Sequence, residues 1–193
     1  MKRYGNLYNK ITTFENIYEA YRKAALGRRY TCEVLSFRNN LEENLISIQE
    51  DLVTRTYQPG PYWTFTIHEP KTRLIYVSPF RDRVVHHAIM NVIEPIWDHL
   101  FIYDSYACRK MKGSHDAMYR VVKFFRGAKQ QWGRVFCLKA DVTKFFPSIN
   151  HHILMEIIER KIKCRDTLAL IRKIVSGIED DLPDQGQRVP AFD

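Results

Sequence analysis

Asp141 is the residue whose setting most suggests chemistry. It lies just past the apolar run Val135-Phe136-Cys137-Leu138 and is followed by Val-Thr-Lys-Phe-Phe-Pro. A carboxylate at the tip of a buried strand stands on a rigid element and faces a cleft, where it can hold a divalent cation. The alternative is an acid that caps the turn after its strand. A two-ion phosphoryl-transfer centre needs more than one acid, because a single carboxylate cannot fix two dications. The remaining acids offer little: Asp180 and Asp181 fall in a polar tail and read as solvated. Lys71 and Arg73 flank Thr72 at a polar turn between two β-prone runs. There a point cation and a guanidinium fork could grip a triphosphate, or simply form a charged turn. The pairs His86-His87 and His151-His152 read as structural or surface histidines, since adjacent helical positions point about 100° apart and cannot easily share one metal. No Gly-rich phosphate loop and no Gly-x-Ser-x-Gly is present.

The charge of the chain is concentrated. Over 193 residues Lys and Arg total 30 against 22 Asp and Glu, a net charge of +8. Residues 104–139 hold nine of the basic residues and only Asp104 and Asp116, and Tyr106, Tyr119, Phe124, Phe125 and Trp132 are interleaved with them. Cations neutralise phosphates and aromatic faces stack on bases, so the segment fits a nucleic-acid footprint. A solvated helix face with ordinary core aromatics fits it equally well. The apolar runs are too short to span a bilayer. The opening MKRYGNLYNK lacks the apolar stretch of a secretory signal. Cys32, Cys108, Cys137 and Cys164 share no metal-type spacing and suit reduced thiols. These features together describe a basic protein of the cytoplasm with no membrane partner.

The elements that must carry these residues follow from periodicity. Ile17, Tyr21, Ala24 and Ala25 predict a helix over 14–26 stopped at Gly27, and Leu41, Leu45, Ile48 and Leu52 predict a second. After the break at Pro59-Gly60-Pro61, the runs 63–67 and 74–77 around Glu69–Thr72 predict a hairpin spanning about 62–78. Val84, Val85, Ala88, Ile89, Val92, Ile93, Ile96 and Trp97 predict a buried helix, with Pro95 as a kink. Ser114 should cap a helix to about Gly127, Val135–Leu138 should form a buried strand, and Asn150 should cap a helix with Ile153, Leu154, Ile157 and Ile158 inward. A last helix with Leu168, Ile171, Ile174 and Val175 inward should end at Gly177, leaving 178–193 as a loose tail. Helices, a hairpin, then helices around a strand make an α+β chain rather than a βαβ repeat.

Three segments carry a resemblance. EPKTRLIYVSPFRDRVV (69–85), DSYACRKMKGSHDA (104–117) and FCLKADVTKFFPSINHHIL (136–154) resemble, in order, the fingers and first palm motifs of bacterial reverse transcriptases. The likeness points to the enzymes of diversity-generating retroelements, with those of group II introns and retrons as near relatives. It implies a fragment of the right-hand polymerase fold, with fingers over 1–133 and a partial palm over 134–177. It also implies RNA-directed DNA synthesis, in which a primer 3′-hydroxyl attacks the α-phosphate of a dNTP. Asp141 then matches the first catalytic aspartate, ligating two Mg²⁺ (or Mn²⁺) ions with help from the Val142 carbonyl. Phe146 matches the aromatic under the incoming sugar, and Lys71 and Arg73 match the fingertip cations that hold its phosphates. Arg83, Arg109, Lys112, Gly113 and Ser114 match positions along the template path, while Met111 replaces the small residue usual there. Implied partners are an RNA template, a DNA or RNA primer, a dNTP and, in diversity-generating systems, a small basic accessory protein. The family's next motifs, a Gly-rich loop ending in Gln and then Tyr-x-Asp-Asp, do not occur in these residues. The resemblance therefore implies an N-terminal portion that is inactive by itself. A non-catalytic RNA-binding module and an intron maturase are the rival readings.

Overall fold

The computed structural model describes residues 2–180, with side chains to 177. Eight helices and one hairpin run in the order α1 (Tyr8–Ile11), α2 (Phe14–Ala24), α3 (Cys32–Asn39), α4 (Leu41–Val53), β1 (Trp63–Ile67), β2 (Arg73–Val77), α5 (Phe80–Asp98), α6 (Ser114–Trp132), α7 (His151–Glu159) and α8 (Arg165–Asp180). The chain falls into two compact units, residues 1–93 with 150–193, and residues 94–149.

The larger unit owns the core. Ile11, Ile17, Ala20, Val34, Leu45, Ile48, Leu52, Val84, Val85 and Ala88 are buried, and they come from α1 to α5. Removing a Val, Leu or Ile side chain from water is worth about 1.5–3 kcal/mol, so these stripes hold the helices together. A polar seam fixes the register between α2 and α5. The Asn16 side-chain amide donates to the Ile11 and Ala88 carbonyls at 3.0 Å each, and Asn91 donates back to Asn16 Oδ1 at 3.0 Å. Thr13 caps α2 by accepting from the Asn16 N–H at 3.3 Å, and the chain turns at Gly27 with φ +75°. The extended N-terminal segment docks on the turn between α7 and α8: Tyr4 N–H donates to the Lys161 carbonyl at 2.7 Å, and Lys163 N–H to the Tyr4 carbonyl at 2.8 Å.

The hairpin has the expected bounds within a residue, with Trp63 opposite Val77 and Ile67 opposite Arg73. Helix α5 runs through Pro95 to Asp98 without a break. Asn150 caps α7 as expected, accepting from the Ile153 N–H at 3.1 Å.

Four expectations need correction. Residues 135–138 form no strand and belong to no helix or sheet, with Phe136 85% and Leu138 92% exposed. A strand needs a neighbour for its backbone groups, and among the described residues the only sheet is β1 with β2. Helix α6 begins at Ser114, with Gly113 as its cap, and passes through Gly127 to Trp132. Glycine costs a helix interior only about 1 kcal/mol, too little to end it. For the same reason α8 passes Gly177 and continues to Asp180. The proposed tail is thus helical at its start, and its remainder, Asp181 included, lies outside the described residues. Finally, α7 buries Met155 and half-buries Leu154 and Ile158, leaving Ile153 54% and Ile157 46% exposed. Five of the six residues at 153–158 are apolar, so periodicity could not choose the face.

His86 and His87 on α5 set an acid limit. Burial, reinforced by His87 and opposed by Asp82, holds the His86 imidazole below its ordinary pKa; burial and then Lys23 do the same for His87. A histidine with a depressed folded pKa binds fewer protons folded than unfolded. Its stabilising contribution is complete above the unfolded value of about 6.5 and is lost as pH falls below it. The melting temperature should drop between pH 7.5 and pH 5.5, and His86→Gln should flatten that slope. An identical slope in wild type and variant would exclude His86 as the cause.

Candidate functional site

The residues singled out for chemistry fall into three local groups. The first is the hairpin tip. Lys71 and Arg73 are both exposed there, Arg73 being the first residue of β2. Strand β1 is exposed along its whole length, and Trp63 stacks on Phe65 with ring centroids 5.4 Å apart. The turn contains the cis Glu69-Pro70 peptide. The tip thus presents two cations to solvent on a narrow ribbon.

The second group is the loop 141–149. Asp141 is exposed, and its Oδ1 accepts from the Val142 N–H at 3.0 Å. It stands after an irregular segment rather than on a strand tip. Beyond it Lys144 takes φ +50° and residues 146–148 form one 3₁₀ turn, which Ser148 closes by donating from Oγ to the Phe145 carbonyl at 2.8 Å. Phe146 is 80% exposed and meets Phe145 edge to face at 5.3 Å, so it is not a core residue of the described structure. Val142 is 61% exposed. Asp141, Val142 and Phe146 therefore share one accessible loop. Among the described residues no group of three or more His, Cys, Asp or Glu side chains could hold a metal ion. Two magnesium ions demand near-octahedral oxygen shells, so Asp141 and the Val142 carbonyl alone do not compose that centre.

The third group, residues 98–120, separates cations that are already committed from those that are not. Arg109 is almost wholly engaged: its Nε donates to Asp98 Oδ1 at 2.7 Å, and its terminal nitrogens donate to the carbonyls of Asp98 at 3.1 Å, Ile102 at 3.0 Å and Ser105 at 3.3 Å. That fork shapes the loop after α5 and holds the Asp98 carboxyl below its usual range. Arg120 grips Asp104 through Nε at 2.8 Å, lowering that carboxyl's pKa, and lies over the rings of Tyr103 and Phe124. Lys112 donates to the Tyr103 carbonyl and sits 4.0 Å above the Tyr103 ring. Met111 takes φ +58°, a left-handed conformation that glycine adopts at less cost than a residue with a Cβ. Gly113 donates its N–H to Asp116 at 3.0 Å, and Ser114 opens α6. Along α6, Lys123, Arg126, Tyr119 and Trp132 are exposed. Arg83, on α5, is paired with Glu33 and lies 5.3 Å from the Phe80 ring centroid.

Sequence reasoning overlooked Asp82 and Tyr57. Asp82 is 3% and Tyr57 1% exposed. The Tyr57 hydroxyl donates to Asp82 Oδ1 at 2.8 Å, and the Gly60 N–H donates to Oδ2 at 2.7 Å. Burial, and then the Asp82 charge, push the Tyr57 phenol well above its ordinary value, so it stays a donor. A signal existed: Asp82 precedes Val85 by three residues and Ile89 by seven, which puts it on the buried stripe.

Comparison with known proteins adds a family. Residues 67–189 match the family described as Reverse transcriptase (RNA-dependent DNA polymerase). Protein YkfC of Escherichia coli (strain K12) is 27% identical over 132 residues, covering 67% of this chain and 34% of that protein. The group II intron-encoded protein LtrA of Lactococcus lactis subsp. cremoris is 26% identical over 139 residues, covering 70% of this chain and 22% of that one. Nuclear intron maturase 2, mitochondrial, of Arabidopsis thaliana is 21% identical over 204 residues, covering 91% and 26%. The chain thus spans about a third or less of each of these relatives. With the match reaching across the hairpin turn, the basic loop and Asp141, the chain belongs to the reverse transcriptase (RNA-dependent DNA polymerase) family.

Proposed function

We propose that these residues are the fingers and the first part of the palm of an RNA-directed DNA polymerase, with fingers over 1–133 and palm over 134–177. The observation that carries the reading is the accessible loop holding Asp141, Val142 and Phe146 inside the family match, which also includes Lys71 and Arg73. In the reaction a primer 3′-hydroxyl attacks the α-phosphate of a dNTP and pyrophosphate leaves. Lys71 and Arg73 neutralise the triphosphate, as their exposure on the hairpin tip allows. Phe146 offers an uncovered ring to the sugar. Asp141 and the Val142 carbonyl supply one part of the ligand set for Mg²⁺ or Mn²⁺, and the other ligands come from outside the described residues. Template and primer run over the cations that have no internal partner among those described, Lys123 and Arg126 on α6 foremost, while Arg109 and Arg120 act by holding the loop in shape.

A second reading is favoured by the names of the relatives, one an intron-encoded protein and another an intron maturase. On that reading the same basic face binds structured intron RNA and no nucleotide is transferred. We propose a location in the cytoplasm of a bacterium or phage host; no helix among the described residues is long and apolar enough to cross a membrane.

RNA binding separates the committed cations from the uncommitted. Lys123→Ala with Arg126→Ala should weaken binding of a structured RNA and make the slope of log affinity against log salt shallower by roughly 1.5–2. Arg109→Ala should leave that slope intact and instead speed proteolysis between residues 98 and 112. Filter binding across a salt series and a timed digest read the two effects. A loss of slope in Arg109→Ala equal to that of the double variant would place Arg109 on the phosphates.

Catalysis is tested by primer extension on an RNA template. The 193-residue chain should incorporate no dNTP, since a single carboxylate cannot fix two dications and no Tyr-x-Asp-Asp occurs in these residues. Incorporation that Asp141→Ala abolishes would show that the centre is complete within these residues.

A further inference from the structure

We propose that Asp82 is the positioning residue that aims the hairpin. The chain enters β1 after Pro59-Gly60-Pro61 and leaves β2 through Ser78-Pro79 into α5. Asp82 joins these two roots. One carboxylate oxygen takes the Gly60 N–H at 2.7 Å, and the other takes the Tyr57 hydroxyl at 2.8 Å. The Asp82 N–H itself donates to the Pro79 carbonyl at 3.1 Å, so the exit strand is tied to the same side chain's helix turn. Tyr57 is held in turn from two directions. Its N–H donates to the Asp51 carbonyl at 3.1 Å, and Lys173 Nζ on α8 donates to its carbonyl at 2.7 Å. Gly60 suits this geometry: a Cβ there would stand 3.0 Å from Pro79 Cγ and 3.3 Å from Asp82 Oδ2, so these neighbours would have to give by a few tenths of an ångström.

The need for such a joint lies in what the hairpin lacks. β1 is exposed at all five residues, and only residues 75–77 of β2 are half-buried. A two-stranded ribbon is marginal without packing, so side chains along its length cannot fix its direction. Direction is set at the root, and the tip is a lever. Five residues at about 3.3 Å each make an arm of about 17 Å. A rotation of about 10° at the root then displaces Lys71 by roughly 3 Å, a whole hydrogen-bond length. Asp82 thus acts on a bound phosphate without touching it. Its cost is also informative. A buried carboxylate satisfied by a hydroxyl and an amide, with its neighbours Arg81 and Arg83 drawn off to Asp51 and Glu33, is an expensive way to fill a core position. Retention of an acid there fits a requirement for two acceptors at one point.

The proposal rests on the reading of Lys71 and Arg73 as the triphosphate grip, and the test keeps the two apart. Amide hydrogen exchange is followed across 62–78, across 45–52 of α4 and across 84–89 of α5, with and without millimolar dATP. Variants are Tyr57→Phe, which keeps the ring and removes one donor, Asp82→Asn, which removes an acceptor for one of the two donors, and the pair Lys71→Ala with Arg73→Ala. Tyr57→Phe and Asp82→Asn should each speed exchange over 62–78 by about tenfold, leave 45–52 within about twofold, and reduce the protection that dATP gives to 68–73. Should Asp82→Asn fail to fold, Tyr57→Phe decides the matter. Hairpin exchange at the wild-type rate in Tyr57→Phe overturns the proposal, and so does an equal rise in α4 and α5, which is what a general core role would produce. If Lys71→Ala with Arg73→Ala is protected by dATP as fully as wild type, the triphosphate reading fails, while exchange without nucleotide still decides the role of Asp82.

Discussion

A buried carboxylate with two neutral donors is a demanding constraint, because each group it satisfies becomes costly when the carboxylate is removed. Loss of either partner at Asp82 strands a polar atom in an environment only 1–3% exposed, a penalty of about 1–3 kcal/mol per group. Three pieces of chain meet on that side chain: residue 57 after α4, the Pro-Gly-Pro passage before β1, and the first turn of α5. Lys173 adds α8 by capping the Tyr57 carbonyl. The N-terminal helices, the hairpin root and the last helix are therefore coupled through hydrogen bonds as well as through the aliphatic core.

In the smaller unit arginine does the corresponding work with more exposed groups. Arg109 spends its donors on one carboxylate and three carbonyls, and Arg120 spends two on Asp104. The planar fork is what makes this possible, since a lysine at either place would satisfy fewer acceptors in one geometry. The count of positive charges in residues 104–139 overstates the charge available to a polyanion, because part of it is already matched. Lys123, Arg126 and Lys129 stand apart from these pairs along α6, a helix with no buried residue among those described, and Lys110, Arg134 and Lys139 lie outside it.

Much of the architecture was legible because it rests on local rules. The 3.6-residue stripe of Leu41, Leu45, Ile48 and Leu52, the polar turn between two β-prone runs, and Asn150 ahead of an apolar helix each specify their element without outside help. The unpaired run at 135–138 shows the limit of such rules, since a strand is half a hydrogen-bonded pair and the sequence of one half does not supply the other. Helix α7 shows another: with Ile-Leu-Met-Glu-Ile-Ile all faces but one look buried, and only neighbours decide. At the candidate site, Asp141 drew attention as the end of a strand that does not form, whereas Lys71 and Arg73 do lie at the turn of the expected hairpin. Asp82 was passed over because the motif Arg-Asp-Arg looks like a solvated charge run, whereas tertiary structure turns the acid inward and sends each arginine to a different carboxylate.

That inversion bears on how a basic motif should be read in this family. Charge sequence alone would assign Arg81, Arg83, Arg109 and Arg120 to phosphates, yet each has an acidic partner within its own unit. An arginine so held can still contribute long-range potential, but displacing it onto a phosphate would leave its carboxylate unpaired, and that loss offsets the new contact. Among the described residues Lys71 and Arg73, on the exposed hairpin tip, have no acidic partner to give up. Phosphate recognition should accordingly concentrate on cations at ends and outer faces, with the interior arginines fixing the loops on which those cations stand.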